Sequence, residues 1–133
     1  MNKQIFIVAV LIFFSHKSLS FEWSADEFVD NCAVVYSDEF NADQLQILNY
    51  CMGVVKGVTS GLLYAKALTN GTEPLLNCIK EMRNISFLSV LKDVVAKMRI
   101  QNKDITASNE PNTANASVAL ALTELNPCLI NSE

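Results

Sequence analysis

The sequence predicts an all-α fold, a small antiparallel four-helix domain braced by two disulfides. Apolar residues recur at intervals of three and four along four segments, which is the spacing of one helix face. No segment shows the alternation of apolar and polar residues that a half-buried strand requires. The chain also contains an even set of cysteines, which in an exported protein is typical of a disulfide framework. These cysteines are Cys32, Cys51, Cys78 and Cys128.

The first 20 residues are predicted to be a secretory signal peptide that is cleaved, leaving one helical domain over residues 21–133. Lys3 gives a positive start, and Ile5–Phe14 is an unbroken apolar run of ten residues. Ten apolar residues are too few for a membrane span, which needs about 20. An uncleaved membrane anchor is the alternative. The only histidine of the chain, His16, lies in this segment.

The mature chain is therefore predicted to be acidic and to lack histidine. Removal of Lys3 and Lys17 changes the formal charge from −4 to −6, because all 14 acidic residues follow residue 20. An acidic chain is a poor ligand for nucleic acids or anionic membranes and suits a basic protein partner. The lack of histidine excludes a Ser–His or Cys–His nucleophile pair and any zinc site with a histidine ligand. We expect no enzyme activity, no metal and no cofactor.

The first helix is predicted to begin at Ser24, because Glu27 three residues later completes a capping box. Asp26 and Asp30 lie one turn apart on this helix. Of the acidic residues in the chain, they best fit the spacing of the paired carboxylates of a hydrolase. Such a pair is more often a solvated helix face, so we assign it no catalytic role. The apolar stripe of the helix comprises Phe28, Cys32 and Tyr36.

The second helix is predicted to begin at Asn41, with Gln44 as its capping partner. It is predicted to end at Asn70-Gly71, which is a helix stop signal. The next segment, Glu73–Cys78, contains Pro74 and is predicted to be a loop. The periodic apolar residues of the helix are Leu45, Leu48, Met52, Val55 and Leu62.

Three glycines lie at four-residue intervals along one face of the second helix, namely Gly53, Gly57 and Gly61. Each glycine costs about 1 kcal/mol in a helix relative to alanine, so the set requires a packing reason. We expect close helix–helix contact inside the fold. The alternative is a flat face for a second copy of the chain, in a homodimer, or for another protein.

The third helix is predicted to follow Asn84 or Ser86. The fourth helix is predicted to follow Asn112 and to end at Asn126-Pro127, because proline disfavours a helical conformation of the residue before it. The apolar stripe of the third helix comprises Leu88, Leu91, Val95 and Met98.

A polar segment, Gln101–Pro111, separates the last two helices and is predicted to be the longest exposed loop. Binding residues are concentrated in such loops. Asp104, Asn109 and Glu110 are therefore the candidates for contact with a partner.

The antiparallel arrangement narrows the disulfide pairing, since four cysteines allow three connectivities. The spacings contain no C-x-x-C pair, which argues against a four-cysteine metal site and against thioredoxin-like chemistry. Cys32, near the end of the first helix, faces the first half of the second helix, which contains Cys51. Cys78 and Cys128 flank the last two helices at one end of the bundle. We predict the pairs Cys32–Cys51 and Cys78–Cys128.

Four segments, each with one cysteine, resemble motifs of a single known family. Cys51-Met52-Gly53-Val54-Val55-Lys56-Gly57 is similar to a Cys-x-Gly-aromatic-x-x-Gly helix, with Val54 at the aromatic position. Cys32 matches an earlier cysteine in the first helix, Cys78-Ile79-Lys80 is similar to a Cys-Ile-Pro segment, and Asn126-Pro127-Cys128 to a Phe-Pro-Cys ending. The chain thereby resembles the Rap/Tai immunity proteins, which are small periplasmic helical proteins of bacterial type VI secretion.

The resemblance covers nearly all of residues 21–133 and implies a protective inhibitor in the periplasm. Proteins of this family bind a peptidoglycan-cleaving amidase delivered into the periplasm and block its active-site groove. The resemblance thus implies a cognate amidase as the partner. The alternative is a periplasmic acid-stress chaperone resembling the HdeA type, which exposes apolar surface when acid protonates its carboxylates.

Overall fold

A computed structural model describes residues 22–105 and 113–130, and within them the chain is all-α. The predicted fold class is confirmed, although these residues contain five α-helices rather than four. The predicted signal peptide, residues 1–20, lies outside the described residues. Short 3-10 helices follow the first and last α-helix, at Ala33–Tyr36 and Pro127–Leu129. The α-helices are α1 (Ala25–Cys32), α2 (Ala42–Asn70), α3 (Thr72–Met82), α4 (Phe87–Ile105) and α5 (Ala114–Leu125).

Both predicted capping boxes are confirmed. The Ser24 backbone N–H donates to Glu27 Oε2 at 2.8 Å, and the Glu27 N–H donates to Ser24 Oγ at 3.2 Å. The Asn41 N–H donates to Gln44 Oε1 at 3.0 Å, and the Gln44 N–H donates to Asn41 Oδ1 at 2.9 Å. Each box satisfies backbone donors that have no partner inside the first helical turn, which explains why α1 and α2 begin where they do.

The prediction of a loop at Glu73–Cys78 is wrong, because α3 covers this segment. Pro74 is the third residue of α3, a position whose backbone N–H has no partner within the helix, so proline costs nothing there. Gly71 joins α2 to α3 with a φ of 84°, a left-handed conformation that glycine adopts without strain. The stop signal at Asn70-Gly71 therefore ends α2 as predicted, and a new helix begins at once.

The core lies where α4 crosses the other helices, and one side of α4 is fully buried. Phe28 of α1 and Leu122 of α5 pack against it and have no exposed surface. Of the stripe predicted for this helix, Leu91, Val95 and Met98 are buried, whereas Leu88 is exposed at the start of the helix. The buried residues of α4 are Val90, Leu91, Val94, Val95 and Met98.

Both predicted disulfides are present, with Cα–Cα distances of 5.8 Å for Cys32–Cys51 and 5.3 Å for Cys78–Cys128. The first joins α1 to α2. The second joins α3 to the 3-10 helix that follows α5. Disulfides form and persist in oxidising compartments, so the bonds indicate an exported protein.

Candidate binding surface

The predicted contact loop, Gln101–Pro111, is helical in its first half, because α4 continues to Ile105. Two contacts join α4 to α5 where this segment begins. Lys97 Nζ pairs with Glu124 Oε2 at 2.6 Å, and Gln101 Nε2 donates to Glu124 Oε1 at 3.1 Å. Asp104 thus lies on the last turn of α4 rather than on a loop, and Asn109 and Glu110 lie outside the described residues.

The expectation that Gly53, Gly57 and Gly61 pack closely inside the fold is wrong. All three glycines are exposed, and a Cβ built on each of them meets no atom within 4 Å. The buried side of α2 contains Cys51 and Val55. At about 100° per residue, the glycines point roughly half a turn away from that side. Nothing inside the described fold therefore explains why these positions are glycine.

The exposed side of α2 is also poor in charged residues from Tyr50 to Leu68. Tyr64 is 68% exposed and Leu68 is 70% exposed, and Tyr50 is exposed at the other end. Between Tyr50 and Leu68 the sequence contains two charged side chains, Lys56 and the buried Lys66. The outward side of a helix in a globular protein is normally charged or polar. We call this surface the glycine face, and it comprises Tyr50, Gly53, Gly57, Gly61, Tyr64 and Leu68.

The glycine face is attached to the core through Trp23, which precedes α1. Its ring centroid lies 4.3 Å from that of Tyr50 and 6.5 Å from that of Phe28. Trp23 is the only tryptophan of the chain. The Ala114 N–H donates to the Trp23 carbonyl at 2.9 Å, which fixes the segment against the start of α5. Trp23 therefore stiffens one end of the glycine face and provides an intrinsic fluorescent probe beside it.

An apolar groove of about 190 Å³ opens between α2, α3 and the start of α4. Its walls include three side chains that are partly exposed to solvent, Ile79, Ile85 and Phe87. Exposed apolar side chains gathered at one concave site indicate a contact surface. The groove is lined by Thr59, Leu63, Ile79, Met82, Arg83, Ile85, Phe87 and Val90. Sequence reasoning missed it because it depends on α3, which was predicted to be a loop.

Two cations flank this groove. Lys56 Nζ lies 5.3 Å from the centroid of the Phe87 ring, a cation–π distance, and Arg83 is the one charged residue of the lining. In residues 22–105 and 113–130 no carboxylate lies within ion-pair distance of Lys56 or Arg83. Lys56 is also the charged residue between the groove and the glycine face. The two features therefore adjoin along α2.

The carboxyl groups with perturbed pKa values have structural roles. The hydrogen bond from the Ser24 backbone N–H has the largest effect on Glu27 and lowers its pKa below the ordinary value. The hydrogen bond from the Ser24 hydroxyl lowers this pKa further. The hydrogen bond from Lys97 lowers the pKa of Glu124 in the same way. Asp26 and Asp30 are both exposed on α1. Across the described ranges, no group of three or more His, Cys, Asp or Glu residues is arranged to hold a metal ion.

None of the described helices combines the length and the apolar character that crossing a membrane requires. No protein-family model, curated protein or solved structure matches the chain.

Proposed function

We propose that this chain is a periplasmic immunity protein that binds a type VI secreted peptidoglycan amidase and covers its active-site groove. The observation that carries the proposal is the glycine face. Three exposed glycines in one helix together cost about 3 kcal/mol relative to alanine. A side chain at any of them would meet no atom of the described fold, which favours a role for the three glycines in contact with another molecule.

A protein partner accounts for the chemistry of this face. Glycine lets another backbone approach a helix closely, and tyrosine offers a large apolar ring with a polar end, which is common at protein interfaces. From Tyr50 to Leu68 the exposed side of α2 has a single charged residue, Lys56, and such low charge resembles the core of an interface, whereas the outward side of an isolated helix is normally polar.

The shape of the domain suits occlusion. α2 contains 29 residues, and its glycine face, from Tyr50 to Leu68, extends over about 27 Å of the helix. The Cys32–Cys51 disulfide, which joins α1 to α2, and the packing of Trp23 against Tyr50 hold this face in place before any partner arrives. A surface that is already ordered loses less conformational entropy on binding, which favours tight inhibition.

The resemblance to the Rap/Tai proteins supports the identity of the partner and the periplasm as the compartment. The disulfides fit the periplasm, which is oxidising. The acidic mature chain suits a basic partner, and opposite charges accelerate encounter.

The proposal is tested with the amidase that is encoded beside this gene or is secreted with its product. Periplasmic production of the chain should protect cells from that amidase. The two purified proteins should form a stoichiometric complex that suppresses peptidoglycan cleavage, and binding should quench or shift the fluorescence of Trp23. The association rate should fall as salt is added, because salt screens the steering charges.

The alternative function, an acid-stress chaperone, predicts different results in these experiments. A chain that binds no such amidase, and that prevents aggregation of unrelated proteins only at low pH, would replace the immunity proposal with the chaperone.

A further inference from the structure

We propose that the apolar groove between α2, α3 and α4 is an anchor site for a segment of a partner protein. The segment carries one large apolar side chain next to a carboxylate. This inference rests on the proposed function only in taking the occupant to be part of a protein. The inference specifies which residues the partner places in the groove, and neither the glycine face nor the family resemblance provides this information.

The size of the groove favours a side chain over a free small molecule. Pockets for small ligands usually measure about 300–1,000 Å³. The groove has about 190 Å³, which suits one large side chain inserted from a neighbouring surface. Such inserted side chains are the residues that dominate the energy of many protein interfaces.

The interior of the groove offers little polar recognition. Thr59 is its buried polar residue, and the Thr59 hydroxyl already donates to the Val55 carbonyl at 2.7 Å. The remaining uncharged lining is made of aliphatic, thioether and aromatic side chains. The inserted group is therefore apolar.

The positive charge at the edge of the groove favours a carboxylate next to the inserted apolar side chain. Arg83 and Lys56 are both exposed cations, although the whole chain has a formal charge of −4. Neither cation has a carboxylate partner among the described residues. Arginine binds carboxylates through paired, charge-assisted hydrogen bonds. An acidic residue or a chain-terminal carboxylate beside the apolar side chain would supply the missing partner.

The groove is held open by covalent and conformational constraints on α3. Cys78 of the Cys78–Cys128 disulfide directly precedes Ile79, which lines the groove. Gly71 fixes the turn from α2 into α3 at the other end of that helix. A wall constrained at two points loses little entropy when a ligand enters.

The test selects random displayed peptides on the purified, oxidised mature chain, without any amidase. We expect enrichment of peptides with Leu, Ile, Met or Phe next to Asp or Glu. Selection on the double variant Lys56→Glu, Arg83→Glu should instead enrich Lys or Arg beside the apolar residue. For a selected peptide, Phe87→Ala should weaken binding about tenfold, as loss of an anchor contact does. Ala96→Leu, at an exposed position elsewhere on α4, should leave binding unchanged.

Two results would overturn the anchor site. One is a selection that does not enrich Asp or Glu next to an apolar residue. The same conclusion follows if the double variant Lys56→Glu, Arg83→Glu enriches the same peptides as the parent. The other is a dimer of the chain, measured by sedimentation, that Phe87→Ala dissociates, since the occupant would then be a second copy. Because the selection contains no amidase, its failure leaves the proposed function standing. Failure of amidase binding likewise leaves the peptide preference standing.

Discussion

At the scale of single residues, the exposed glycines weaken α2 without packing against the described fold. On the proposed function they serve binding and not stability. Gly57 lies in the middle of α2, and a Cβ built there meets no atom within 4 Å. A residue that weakens its own helix without packing against anything in the fold contributes nothing to stability. Folding and binding should therefore respond to a substitution at Gly57 in opposite directions.

Gly57→Ala should stabilise the folded chain by about 1 kcal/mol, because alanine has the higher helix propensity and less freedom in the unfolded state. Chemical unfolding of parent and variant under oxidising conditions measures this difference. Ala96, which is already alanine at an exposed helical position, provides a control, since Ala96→Gly should destabilise by a similar amount. A clear loss of stability in Gly57→Ala would show that this side of α2 packs within the fold.

At the scale of elements, the starts of α1 and α2 were predictable, because each is decided by side chains three residues apart. Ser24 with Glu27, and Asn41 with Gln44, are local pairs, and the structure contains both. α3 and the last turn of α4 were not predictable in the same way. Pro74 of α3 occupies a position that needs no N–H, and Gln101 of α4 bonds to Glu124, which lies 23 residues further along the chain.

The capping box of α1 predicts a particular response to acid. The folded state lowers the pKa of Glu27, so the stabilisation is fully present above the unfolded-state pKa of about 4.3. It is lost as the pH falls through the lower folded-state pKa. Glu27→Gln keeps an acceptor for the Ser24 N–H but does not titrate. The difference in unfolding free energy between parent and Glu27→Gln should therefore shrink or reverse from pH 7 to pH 3. A difference that stays constant would contradict this role of Glu27.

At the scale of the whole molecule, the fold class and both disulfides followed from the sequence, but the proposed binding surface did not. Helical periodicity and an antiparallel arrangement place Cys32 opposite Cys51 without further information. The glycine spacing shows that Gly53, Gly57 and Gly61 share a face, but a spacing alone does not say whether that face meets core or solvent. The apolar groove needs three helices in their final positions, so no local pattern signals it.

The two disulfides should contribute unequally to stability. Cys78–Cys128 closes a loop with a sequence separation of 50 residues, whereas Cys32–Cys51 spans 19. On the chain-entropy model these loops are worth roughly 4 and 3 kcal/mol. Replacing both cysteines of each pair by alanine, followed by urea unfolding, should show a larger loss for Cys78–Cys128. A larger loss for the shorter loop would mean that packing around Cys32 and Cys51 outweighs chain entropy.

The most direct test of the central claim, that the glycine face binds the amidase, is the affinity of Gly57→Leu for that enzyme. The leucine side chain would stand in the path of a closely approaching partner, so affinity should fall at least tenfold, about 1.4 kcal/mol. The unfolding free energy should equal or exceed that of the parent, because leucine favours helix more than glycine does. Ala96→Leu, which adds bulk on α4, should change neither quantity. A variant that binds as the parent does, or that loses affinity only because it unfolds, would contradict the claim.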